Sequence, residues 1–109
     1  MEIKTPKEFF EKVLSSKFDA NKAAGVDAVI QMNITGPNGG DWIIIIKDRK
    51  LEVQQGTHLS PSISIRMADT DYVDMINGKL SGDRAFMIGK LKFKGSIAIG
   101  MKLREIGFL

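Results

Sequence analysis

From Ala28 to Thr35 apolar and polar positions alternate. Ala28, Ile30, Met32 and Ile34 fall on one side, with Val29, Gln31, Asn33 and Thr35 on the other. A period of two predicts a strand with one buried face and one largely wet face. Gly36-Pro37-Asn38-Gly39-Gly40 is the strongest turn signal in the chain. Trp42 to Lys47 follows as a second strand, and its isoleucines occupy both faces, which places it centrally or under cover on both sides. Asp48-Arg49-Lys50 is short enough for a hairpin into a third strand with Leu51, Val53 and Gln55 on one side. Beyond Gly56 and Pro61, a fourth strand turns Ile63, Ile65 and Met67 inward and Ser62, Ser64 and Arg66 outward. The short joins predict a four-stranded antiparallel meander.

Helical periods flank this block. Thr5 caps a first helix, Pro6 suits its first turn and Glu8 stands three residues after the cap. Phe9, Phe10, Val13 and Leu14 form its apolar stripe, and Ser15-Ser16 ends it. A second, shorter helix is expected from Asp19 to Gly25. After the fourth strand, Asp69 or Thr70 caps a helix whose apolar side is Tyr72, Val73, Met75 and Ile76, closed by Asn77-Gly78. Leu80 to Met87 reads as a short helix stopped by Gly89. Lys90 to Lys94 reads as a last strand, and Ile97 to Ile106 as a closing helix. The order defines an α+β chain with helices over one face of the sheet.

Composition narrows the class. At 109 residues the chain fits a single domain, 1–109. No run approaches the ~20 apolar residues of a membrane span, the N-terminus has no signal-peptide core, and cysteine is absent. A cytoplasmic protein is the expectation. Sixteen Lys and Arg against thirteen Asp and Glu give a net charge of +3, too mild for a nucleic-acid stripe. Lys90, Lys92 and Lys94 share one side of the last strand, opposite Leu91 and Phe93. That row is read as a solvated strand face, with transient attraction to anionic membrane lipid as the partner it would favour.

Candidate chemistry is sparse. The one histidine, His58, stands in a turn-rich stretch without Cys, Asp or Glu at metal-ligand spacing, and it is read as an exposed loop residue. Asp69, Asp71 and Asp74 resemble a calcium loop only superficially. Asp74 and Leu80 stand where an EF-hand needs Gly and Glu, and helix capping accounts for the first two. The Gly36–Gly40 turn lacks the Lys-Ser/Thr of a phosphate-binding loop. A non-enzyme without cofactor or metal is expected. Six Met and six Phe, many on inward faces, supply either an ordinary core or an adaptable apolar pocket.

Two stretches carry a resemblance. Asp69-Thr70-Asp71-Tyr72-Val73-Asp74-Met75-Ile76-Asn77-Gly78-Lys79, then Asp83-Arg84-Ala85-Phe86-Met87-Ile88-Gly89-Lys90-Leu91-Lys92-Phe93-Lys94-Gly95, is similar to the sterol carrier protein type two, or non-specific lipid-transfer, family. Trp42 to Lys50 resembles the family's second strand and turn, with Asp48-Arg49-Lys50 in place of the commoner Asp-Gly-Lys. The resemblance implies a five-stranded, mainly antiparallel sheet covered on one face by helices, with an apolar tunnel between them. It implies binding, and with it transfer, of sterol, fatty acid, acyl-CoA or phospholipid. The alternative is a non-catalytic accessory or scaffold domain serving a lipid-metabolising enzyme. Inward-facing candidates for the tunnel are Met32, Trp42, Ile44, Ile65, Tyr72, Met75, Ile76, Phe86, Met87, Phe93, Ile97 and Met101. Tyr72 either places its hydroxyl at the polar end of a ligand or stands on an exposed helix side. The closing helix is read as a lid or as a fixed core helix.

Overall fold

The computed structural model describes residues 2–106. Five strands, β1 (Ala28–Thr35), β2 (Gly40–Lys47), β3 (Lys50–Gln55), β4 (Ile63–Ala68) and β5 (Lys92–Gly95), form one sheet in the order β3-β2-β1-β4-β5. Pairs β1–β2, β2–β3 and β4–β5 are antiparallel. The sheet is therefore mainly antiparallel, but it is not a meander through β4. The fourth strand pairs with β1 in parallel, Met32 opposite Ile65, instead of joining β3.

The join between β3 and β4 has to pass two strands, and its path explains a second departure from the pattern. Gln31, expected on a wet face, is buried. Its Nε2 donates to the Trp42 and Gly56 carbonyls at 3.3 and 3.0 Å, and its Oε1 accepts the His58 N–H at 2.7 Å. The chain from Gly56 crosses the outer face over this side chain, so the buried amide is satisfied by the backbone that covers it. The hairpin between β2 and β3 turns through Asp48 and Arg49, both with positive φ (52° and 62°). That left-handed geometry suits a two-residue hairpin and is where glycine is commoner.

The N-terminal helix forms with an unforeseen irregularity. It starts as α1 (Pro6–Glu8), capped by Thr5 Oγ1 accepting the Glu8 N–H at 3.2 Å. It widens into a π-helical turn over Phe9–Val13, where the Leu14 N–H donates to the Phe9 carbonyl, and closes as α2 (Leu14–Lys17). The wide turn sets residues five apart above one another, so Phe9, Phe10 and Leu14 all face the sheet and are buried. The helix expected from Asp19 to Gly25 is instead a series of turns, opened by Asp19 Oδ1 accepting the Asn21 N–H at 2.9 Å. That local side-chain bond competes with a helical start. Ala23 and Val26 still reach the core from this segment.

Helices α3 (Asp69–Ile76), α4 (Gly82–Met87) and α5 (Ile97–Ile106) lie on the same side of the sheet. Asp69 does more than start α3. Its carboxylate accepts the Thr70 N–H at 2.8 Å and the Asn38 N–H at 2.9 Å, which pins the β1–β2 turn to the helix. A Cβ at Gly36 would collide with that carboxylate, and Gly36 has φ +101°, so the turn needs glycine there twice over. Across the helix-side face, register aligns Gln55, Trp42, Met32, Ile65 and Phe93 in one row spanning all five strands.

Candidate functional site

At the β4–β5 end of that face the helices leave a cavity of about 240 Å3. Its floor is Ile63 and Ile65 from β4 and Phe93 from β5, with Leu91 just before β5. One wall is α4, through Gly82, Asp83 and Phe86, and the other is α5, through Ile97, Gly100, Met101 and Arg104. Phe86 and Phe93 meet at 5.4 Å between ring centroids. Alpha-helical spacing brings the α5 residues to one side: 97, 100, 101 and 104 are three or four apart. The opposite side of α5 anchors it, because Leu103 and Ile106 are buried in the core.

Among the described residues, the polar side chains that line the cavity are a single ion pair. Arg104 Nη1 lies 2.8 Å from Asp83 Oδ1, joining α5 to α4 with both side chains more than half exposed. A pair in that much water contributes little to stability. Its position at the rim matters more, since it ties together the two helices that bound the opening.

Of the candidates picked out along the chain, Ile65, Phe86, Phe93, Ile97 and Met101 come together around the cavity. Met32, Ile44, Tyr72 and Met75 are buried in the core away from it, and Ile76 packs half-buried against that core. Trp42 is at the other end of the apolar face, where it borders a second groove with Phe10, Leu51 and Val53. Between groove and cavity the space is filled. Phe10 stacks on Tyr72 at 5.4 Å and tilts against Trp42 at 5.3 Å, while Phe9 meets Tyr72 edge-on at 6.0 Å. Met87 points away from the cavity and is 83 % exposed. It sits at the end of α4, one residue beyond Phe86, where the helical rotation of about 100° per residue carries it outward.

Reading along the chain passed over Ile63, Leu91, Gly100 and the Asp83–Arg104 pair. Gly100 did carry a usable signal. Glycine inside a helix costs about 1 kcal/mol relative to alanine, so its presence within the apolar stripe of α5 marked a place where the helix backbone comes close to another element. A Cβ there would come 3.3 Å from Ile63 Cδ1, closer than an ordinary van der Waals contact.

Tyr72 is wholly buried, which removes the exposed-helix reading of that residue. Burial pushes its phenol well above the usual 10.0. In the unfolded chain the phenol ionises near 10.0, while the folded protein holds it neutral. This contribution to stability is therefore intact below that pH and is lost as the pH rises beyond it. Because Tyr72 is the only tyrosine, phenolate absorbance reads it directly. Its ionisation is expected to coincide with unfolding at alkaline pH, and Tyr72→Phe is expected to flatten that part of the stability profile. Ionisation well before unfolding would refute the assignment.

His58 is half-buried; its Nδ1 accepts the Ser60 N–H at 3.0 Å and shapes the crossover loop. Among the described residues no group of three or more His, Cys, Asp or Glu is placed to hold a metal ion. No helix among them is long and apolar enough to cross a membrane.

A helix-capped mixed sheet with an apolar cavity at its edge defines an α+β protein. Residues 7–106 match the model of the SCP-2 sterol transfer family, and the chain belongs to that family. It is 35 % identical over 101 residues to the non-specific lipid-transfer protein-like 1 of Caenorhabditis elegans, covering 91 % of this chain and 83 % of that one. It is 32 % identical over 96 residues to the hydroxysteroid dehydrogenase-like protein 2 of Mus musculus, covering 87 % of this chain. There it spans only 20 % of the relative's length. Palmitated sterol carrier protein 2-like 2 of Aedes aegypti, solved in solution, shares the fold at a TM-score of 0.66 with 24 % identity, covering 94 % of each chain.

Proposed function

We propose that this chain binds single lipid molecules, fatty-acyl chains foremost, in the cavity under α4 and α5, and passes them on without chemical change. The observation that carries the reading is the cavity itself. Ile63, Ile65, Phe86, Leu91 and Phe93 present a continuous apolar lining, and the charged pair stands only at the rim. Each methylene moved there from water contributes about 0.8 kcal/mol, so a long chain needs apolar wall and little else. The palmitated state of the Aedes aegypti relative and the lipid-transfer name of the Caenorhabditis elegans one support the same ligand class.

At about 240 Å3 the space is just below the roughly 300–1,000 Å3 of sites that enclose drug-sized ligands. A sterol or a long acyl chain therefore requires α4 and α5 to part, with α5 acting as the lid. The site residues under this proposal are Ile63, Ile65, Phe86, Leu91, Phe93, Ile97 and Met101. The chain acts as one domain in the cytoplasm, needs no cofactor, and meets anionic membrane lipid when it loads and unloads.

The test is lipid extraction from protein purified out of cells, followed by uptake of a fluorescent acyl probe by the delipidated protein. Co-purified acyl lipid and saturable uptake are expected, and neither occurring would remove the proposal. A second reading, an accessory domain that presents lipid to an enzyme, draws on the mouse relative, of which the matching region is a fifth. It keeps the same cavity and differs only in the recipient.

A further inference from the structure

We infer that Arg104 is the head-group site of the cavity: when a chain is loaded, a fatty-acid carboxylate takes the place of Asp83 on its guanidinium. The inference rests on the lipid-binding reading and narrows the ligand to single-chain lipids that carry a carboxylate head.

The first observation is how polarity is distributed. Arg104 is the one cation among the described residues that line the cavity, and it stands at the rim. One turn back along α5, Gly100 and Met101 continue the same side towards Ile97. The rise of an α-helix sets Arg104 about 10 Å from Ile97 along the axis. A tail can therefore lie along α5 while its head stays at the guanidinium. Leu103 and Ile106 bury this end of α5 in the core, which fixes where the Arg104 side chain starts. The planar guanidinium fork matches the two oxygens of a carboxylate, so an ionised acid gains more there than a hydroxyl or an ester.

The second observation is what occupies Arg104 in the empty protein. Its partner is itself a carboxylate, with Nη1 2.8 Å from Asp83 Oδ1. Among the described residues this is the one polar contact between α4 and α5. A chain too large for about 240 Å3 needs those helices to part, and their parting stretches this contact. Arg104 then exchanges one carboxylate for another, and Asp83, 63 % exposed, is left to water. Both side chains are already well solvated, so the exchange costs little. A neutral head opens the same pair and returns nothing to Arg104. Lys102, the other cation near this end of α5, is engaged with Glu105 and does not line the cavity.

The experiment is calorimetric titration of the delipidated protein with dodecanoate and with its methyl ester, at about pH 7.5, where a free carboxyl is ionised. The readout is the acid-to-ester affinity ratio compared across variants, so that the different solubilities of the two ligands cancel. Arg104→Gln is expected to lower that ratio by about five- to tenfold. Arg104→Lys, which keeps the charge and loses the fork, should recover part of it. Asp83→Asn should hold the ratio at or above that of the parent, because it removes the competing carboxylate. Thermal midpoints should stay close to the parent's, since the pair is exposed. Arg104→Gln and Asp83→Asn break the same ion pair, so a role limited to tying the helices predicts the same ratio in both. An equal fall in both variants therefore overturns the head-group site, as does a ratio in Arg104→Gln equal to the parent's. A parent protein that binds neither dodecanoate nor its ester counts against the lipid-binding reading itself, so the two failures are distinguishable.

Discussion

Phe10→Ala is expected to lower the free energy of unfolding by about 3–5 kcal/mol, the range for truncating a large buried aromatic. Whole domains are stable by only about 5–15 kcal/mol, so the variant sits near the limit of folding. The reason is position. Phe10 is buried between Tyr72 of α3 and Trp42 of β2, with ring centroids 5.4 and 5.3 Å away. Its loss opens a void where sheet, N-terminal helix and α3 meet, and neither β2 nor α3 can move in without disturbing its own register. Urea denaturation measures the effect, and an unchanged slope with a lower midpoint identifies it as lost stability. Trp42, the single tryptophan, should shift its emission to the red as water reaches it. Phe86→Ala is the contrast. Phe86 is half-exposed at the cavity wall, and its truncation is expected to cost well under half as much, since most of its surface is already wet. Equal costs at the two positions would contradict the division of the molecule into a filled centre and a hollow edge.

Gly100→Leu should separate binding from folding. The added Cβ comes within 3.3 Å of Ile63 Cδ1, the free end of a flexible side chain that can yield by a few tenths of an ångström. The rest of the leucine then occupies the space of the ligand. Four carbons displace about that many methylenes at roughly 0.8 kcal/mol each, which weakens acyl binding by about two orders of magnitude. The helix itself gains, since leucine replaces glycine in an interior position. The expected result is a thermal midpoint at or above that of the parent, together with probe affinity reduced about a hundredfold. Unchanged affinity would place the ligand somewhere other than between α4 and α5, and the groove beside Trp42 would be the next place to look.

Much of the cavity was legible along the chain because strand alternation and helix spacing declare which side a residue faces. Ile65, Phe86, Phe93, Ile97 and Met101 were found by that rule. The same rule selected Met32, Ile44 and Met75, which also face inward but against packed side chains. An inward direction is common to core and cavity; only the elements lying opposite decide between them. Met87 shows the complementary error, since its apolar character pointed inward while the rotation of α4 turns it out. Arg104 and Asp83 were missed because they lie twenty-one positions apart and each is unremarkable where it stands.

Alone, the sequence determined the five strands and most of the helical segments around them, since periodicity, caps and turn glycines act over a few residues, and its motifs carried the resemblance to the family. Tertiary structure decided what depends on distant segments meeting. It placed β4 beside β1 and so forced the crossover that buries Gln31. It widened the first helix at Phe9–Val13, where the aromatic side chains pack together against Tyr72 and Trp42. It also filled the middle of the apolar face and left space at the β5 edge, because the exposed side of α5 ends in glycine and solvent where the opposite side is anchored by Leu103 and Ile106. Local rules specify which surface is apolar, and the packing of segments far apart in the chain specifies whether that surface is covered by protein or left for a ligand.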